Sequence, residues 1–202
     1  NATTYTGGSG VDTVTFTETV AALNTFNGGA GADVVTFTAN LDDVDVVNGG
    51  DGIDTLAAVS LDLTALTAAS NISNTEIIQI TNNMAGAFNA ATHDAAGITT
   101  IRLDGSAGGF ALTYGAGAKT LDLRAASGVV TVNDTGTATT DSLTIVNNAA
   151  ATNIPNGAAY NINGFETVTY NGSGTGNAAA QVFGAITMAA DGTGIDTLNF
   201  TG

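Results

Sequence analysis

The chain has no cysteine and no tryptophan, one proline, one histidine and three basic residues in a total of 202. Each scarcity removes a class of protein. Without cysteine there is neither a disulfide framework nor a thiolate metal site, and a single imidazole, His93, anchors no zinc centre of the ordinary kind. Three Lys and Arg stand against 18 Asp and Glu, a formal charge of −15. Such a surface repels a phosphate backbone, so nucleic acid is not expected as a partner. There is no run of about 18 apolar residues and no charged leader with an apolar core, so neither a membrane span nor a Sec-type leader is expected. Lys and Glu are nearly absent and apolar residues do not recur every three or four positions, which argues against a helical fold.

What is present points to strands. Hydrophobic residues make up 44% of the chain and glycine accounts for 27 positions, enough to build a core without disulfides. Thr, Val, Asn and Gly dominate, with apolar residues alternating in short runs. One phrase repeats: TGGSGVDTVTF, then NGGAGADVVTF, then NGGDGIDTL. Aligned on the first inward apolar residue of each run, Val14, Val35 and Leu56 recur every 21 residues, and Ile78, Ile101, Leu121, Leu143, Val168 and Leu198 continue the series at 20 to 30. A further strand in each early coil is marked by Leu23 and Phe26, 21 residues before Val44 and Val47. A fixed period with one strand at constant phase describes a wound chain, a parallel all-β solenoid with about 21 residues per coil. A two-layer antiparallel sandwich has no reason to repeat a glycine phrase at constant phase. Residues 1–60 form the motif coils of this reading, 61–190 motif-poor coils, and 191–202 the start of another repeat. The pattern begins and breaks off within repeats, as expected of a segment of a larger polypeptide.

The repeated turn has the composition of a calcium loop. Glycine permits backbone angles that side chains forbid and lets carbonyl oxygens converge, while the aspartate in sixth place supplies charge. Calcium takes six to eight oxygens, so it is best held between loops stacked on successive coils. The candidate ligands are Gly7, Gly8, Gly10 and Asp12 in the first loop, Gly28, Gly29, Gly31 and Asp33 in the second, and Gly49, Gly50, Gly52 and Asp54 in the third, with Asp51 as an added ligand. A fourth copy at 191–196 replaces the first glycine by Asp191 and ends in Asp196. Asp42, Asp43 and Asp45 read as a solvated edge.

These phrases, together with NGFETVTY later in the chain, resemble the calcium-binding solenoid (RTX β-roll or β-helix) of the S-layer proteins of Caulobacter-type alphaproteobacteria, part of the RTX group. Asn74-Thr75-Glu76-Ile77 and Gly164-Phe165-Glu166-Thr167, 90 residues apart, match the phrase that opens later strands in such proteins. They follow Asp54 and Asp141, as two tandem subunits of one architecture would. The resemblance implies a secreted structural protein, exported by a type I system, that assembles with itself into a two-dimensional lattice on the bacterial cell surface. Contact with lipopolysaccharide would come through regions outside these residues. An RTX adhesin or extracellular matrix protein is the alternative, and an accessory domain of a secreted hydrolase a more distant one.

No enzyme is expected. Solenoids do host polysaccharide lyases and hydrolases, but His93 lies in a Thr-His-Asp loop with no serine placed beside it except by chance of sequence, and glycine-flanked aspartates in a repeat suit calcium better than a glycosidase pair. With Ile101, Leu103, Leu121 and Leu123 inward, Arg102 and Asp122 project outward from equivalent places and should form an exposed ion pair worth about 0–1 kcal/mol, flanked by Lys119 and Arg124.

Overall fold

A computed structural model describes residues 2–17, 19–67, 70–84, 86–105, 107–125, 127–148, 159–172, 184–189 and 197–201. The chain forms two compact units, residues 1–81 with 92–101 and residues 82–91 with 102–202.

In the first unit, the strands Thr3–Thr6, Asn24–Ala30, Val46–Asp51 and Asn71–Ser73 pair in parallel to make one row. A second row consists of Thr13–Phe16, Val34–Phe37, Thr55–Ala58 and Ile77–Ile80. The chain alternates between rows, so each coil contributes one strand to each. Register keeps like above like: Val14 lies opposite Val35, Val35 opposite Leu56 and Leu56 opposite Ile78, as the sequence alignment expects. The inward positions Phe26, Val35, Phe37, Val47, Leu56, Ile78 and Ile80 are at most 1% exposed, each contributing about 1.5–3 kcal/mol of burial. Stacking carries aromatic onto aromatic, with Phe16 and Phe37 ring centroids 5.0 Å apart. Phe26 and Val47 pair as expected, whereas Leu23 and Val44 sit outside the strands and are exposed.

The second unit repeats the plan. Gly86–Asn89, Ala107–Tyr114, Ser127–Asp134, Tyr160–Asn163 and Ile186–Ala189 form one parallel row. Ala118–Leu123, Ser142–Asn147, Thr167–Asn171 and Thr197–Thr201 form the other. Val130, Val132, Leu121, Leu123 and Leu143 are fully buried. Here the sequence alignment is off by two residues at one step: Leu121 lies opposite Ile145, and Lys119 lies opposite Leu143. Lys119 occupies an inward position and is 8% exposed, so counting from the first apolar residue skips a place that a lysine stem fills. A slip of two leaves every side chain on its expected face.

Each unit is thus an all-β parallel solenoid, with coils on average about 23 residues apart. The glycine turns of the first unit step by 21 residues and coils of the second by 24, 25 and 30. Among the described residues helix is confined to connections, a six-residue turn at Ser60–Ala65 and a 3-10 segment at Ala90–Ala96, and no helix is long and apolar enough to cross a membrane.

Candidate metal centre

The glycine phrases form the turns between the two rows of the first unit. In the second and third turns the opening glycines still belong to the strands Asn24–Ala30 and Val46–Asp51, so the pairing runs into the turns, Gly29 opposite Gly50 and Ala30 opposite Asp51, whereas Gly7 and Gly8 follow the end of Thr3–Thr6. The Ala30 amide donates to the Gly8 carbonyl at 2.7 Å and the Gly31 amide to the Asp51 carbonyl at 2.8 Å. Gly29 and Gly50 share φ values of 106° and 105°, a conformation that side chains rarely adopt. The second and third turns are therefore copies of one another stacked in register.

At the end of each turn an acid reaches to the coil before it. The Asp12 amide donates to Asp33 Oδ1 at 2.8 Å, the Asp33 amide to Asp54 Oδ1 at 2.7 Å, and the Asp54 amide to Glu76 Oε2 at 2.9 Å. The result is a ladder of amide-to-carboxylate bonds, with Glu76 in the place of a fourth aspartate. Asp33 and Asp54 are each 1% exposed. The second oxygen of each, Oδ2, is buried with no hydrogen-bond partner.

Those orphaned oxygens point at the first glycine of their own turn. A Cβ on Gly28 would collide with Asp33 Oδ2 and the Gly49 carbonyl, and one on Gly49 with Asp54 Oδ2 and the Asn74 carbonyl. Each glycine thereby leaves room where a carboxylate oxygen from one coil and a carbonyl oxygen from the next converge. Asp12 has the same relation to Gly7 and the Gly28 carbonyl, but it is half-buried and its Oδ2 accepts the Gly8 amide at 3.2 Å. The neighbouring Asp12 carboxylate holds the Tyr5 phenol above its usual pKa. Burial raises the pKa of Asp54, and the charges of Asp33 and Glu76 add to it.

The donor set is hard: carboxylate and carbonyl oxygen, with no sulfur or imidazole. Buried, unpartnered carboxylate oxygens beside carbonyls fit calcium, which accepts mixed carbonyl and carboxylate shells. Among the described residues no three His, Asp or Glu side chains converge on one point, so an ion held here would draw most of its ligands from backbone oxygens and water. Asp51 stands apart: it is exposed, and its carbonyl rather than its carboxylate joins the ladder of turns. Asp191 and Asp196 lie outside the described residues.

Other acids depart from the sequence reading. Asp45, expected on a solvated edge, is 2% exposed, and its Oδ1 accepts the Asn24 amide at 2.8 Å. Burial raises its pKa. Asp43 accepts the Thr67 amide at 2.9 Å and the Thr67 hydroxyl at 2.6 Å. A 21-residue interval between Asn24 and Asp45 was the available clue, the same interval that links the motif aspartates. His93 is buried, with Nδ1 2.8 Å from the Ser70 hydroxyl. Burial lowers its pKa, partly offset by the charge of Asp43. The Arg102 pair with Asp122 forms at 3.2 Å, but Asp122 is nearly buried and also binds Arg124 at 3.2 Å and the Asn148 amide group at 2.7 Å.

No family profile, curated protein or solved structure matches the chain.

Proposed function

We propose that the chain is a calcium-binding structural solenoid of a bacterial surface layer, assembling with copies of itself into a two-dimensional lattice outside the cell. The observation that carries this reading is the pair of buried, unpartnered oxygens, Asp33 Oδ2 and Asp54 Oδ2, each facing a carbonyl of the next coil across a glycine. Calcium at these points supplies the positive charge that carboxylates on neighbouring coils otherwise lack. Asp12, Asp33, Asp54 and the carbonyls of Gly28 and Gly49 would hold it.

The step from calcium-bound rod to lattice rests on the resemblance of the glycine phrases and on charge. Chains of formal charge −15 repel one another until divalent ions reduce that repulsion. Flanks rich in Thr and Asn give polar contacts that are weak singly and gain strength in a repeating array. Export by a type I system and anchoring to lipopolysaccharide through other regions belong to the same proposal.

The test is assembly of the full-length protein, followed by light scattering and negative-stain imaging with calcium, magnesium or chelator at fixed ionic strength. Ordered sheets are expected with calcium alone, since the small octahedral shell of magnesium suits a carbonyl-rich loop poorly. Sheets that form equally in all three conditions overturn the proposal. Isolated calcium-dependent fibres on cell-surface material would instead support the adhesin or matrix reading.

A further inference from the structure

In the second unit, the turn between Ser127–Asp134 and Ser142–Asn147 has lost the glycine phrase but kept its two ends. Gly136 and Asp141 are separated as Gly28 and Asp33 are, and as Gly49 and Asp54 are, with threonines replacing the inner glycines. The local bonding is also kept. Asp141 is 1% exposed. Its Oδ1 accepts the Gly117 amide at 2.5 Å, and its own amide donates to Glu166 Oε2 at 2.6 Å, just as the Asp54 amide donates to Glu76.

What remains of Asp141 is an orphan. Its Oδ2 is buried and accepts nothing, and both carboxylate oxygens of Asp134 are buried without a hydrogen-bond partner. Asp134 continues the inward alternation of Val130 and Val132, which aims its carboxylate under the turn. Asp134 Oδ2 and Asp141 Oδ2 each lie 2.7 Å from the point a Cβ on Gly136 would occupy. Two acids thus open on one small space that exists because residue 136 has no side chain. The Thr135 and Gly136 amides lie near enough to favour the charge of Asp134 but outside hydrogen-bonding geometry. Burial and the facing Asp141 outweigh them, and its pKa is pushed up to about 6.

We propose that Asp134 and Asp141 form a further cation site over Gly136, taking a hard divalent ion such as calcium between their unpartnered oxygens. The oxygen-only donor set excludes soft metals, and two facing carboxylates match a divalent charge. The choice of calcium rests on the reading of the first unit, but the residues are independent of it.

The experiment is calorimetric calcium titration and thermal unfolding of the full chain and its variants. Asp134→Asn should remove one calcium equivalent. In chelator it should unfold at a higher temperature than the parent, because one of two facing charges is gone; a purely structural role for Asp134 would lower stability instead. Gly136→Ala, which fills the space without touching charge, should also remove that equivalent, while Asp33→Asn should leave it in place. If Asp134→Asn keeps the parent stoichiometry, or loses stability in chelator, the site is not there. A full chain that binds no calcium at all overturns both this inference and the calcium reading of the glycine turns, whereas silence of Asp134→Asn alone overturns only this one.

Discussion

Asp33 uses its two oxygens differently: Oδ1 accepts the Asp12 amide and Oδ2 is left without a partner. Asparagine can keep the first role through its own oxygen while turning an NH₂ toward the Gly49 carbonyl. Asp33→Asn should therefore unfold at or above the parent temperature in chelator, yet lose much of the gain that calcium confers, about 2.7 kcal/mol for a site filled at one hundred times its dissociation constant. Thermal unfolding with and without calcium checks it; an unchanged calcium response removes Asp33 from the ligand set. Glycines of one motif should also differ. A Cβ on Gly28 meets Asp33 Oδ2 and the Gly49 carbonyl, whereas one on Gly8 meets nothing within 4 Å. Gly28→Ala should cost about 1–3 kcal/mol and Gly8→Ala almost nothing in chemical denaturation, and equal costs would show that the turn is not packed as described. At His93 the sign follows from burial, which lowers the folded pKa below the ordinary imidazole value. The stability it contributes is present above about pH 6.5 and is lost as pH falls through the folded value. Asp45 and Asp54, raised by burial, act in the opposite direction, so the measurement is the difference between the parent and His93→Asn from pH 8 to 5. Parallel curves would mean that His93 titrates normally.

Between strands, Asp122 departs from simple alternation, in an outward position that is nevertheless only 6% exposed. Its Oδ2 takes both Arg102 and Arg124, each at 3.2 Å, and its Oδ1 takes Asn148. Arg124 also approaches Asp104 at 3.7 Å. Alternation placed Arg102 and Asp122 together correctly, because period-two geometry fixes which residues share a face. It missed the depth of the pair, because the flanking Arg124 and Asn148, just past the end of the neighbouring strand Ser142–Asn147, close over the carboxylate. Asp122→Ala strips charged hydrogen bonds from three donors and should cost about 1–3 kcal/mol, more than the small loss expected of an exposed pair. A change within about 0.5 kcal/mol in denaturant unfolding would return it to the surface class. The same contrast runs through the fold. The stacking of Val14, Val35, Leu56 and Ile78 was legible because apolar residues mark inward places at a fixed interval. The register at Leu121 was not, since Lys119 fills an inward place with an aliphatic stem. The role of Asp45 was hidden by its acidic neighbours, which made a buried cap look like a solvated run. At the turns the sequence named Asp33 and Asp54, but the substitution of Glu76 for a fourth rung emerged only from the bonding, because its coil holds one more residue: Thr55 lies opposite Ile77, which sets Glu76 opposite Asp54 at an interval of 22 rather than 21.

Across the solenoid, paired strands lie about 4.8 Å apart, and in the first unit that spacing carries Asp12, Asp33, Asp54 and Glu76 up one column through successive amide bonds. Even at the dielectric constant of water, unit charges so placed repel by about 0.9 kcal/mol per neighbouring pair, more than thermal energy, and burial of the middle rungs makes it larger. Viewed along the column, the turns are a short polyelectrolyte. Like other lines of closely spaced charge, it should gather an atmosphere of monovalent ions that a divalent ion must displace, so apparent calcium affinity should fall linearly on a double-logarithmic plot against sodium chloride. An affinity indifferent to salt would mean that each turn binds as an isolated pocket. The regular winding that builds the core therefore also sets the linear charge density, and with it the ionic strength at which the turns become responsive to calcium.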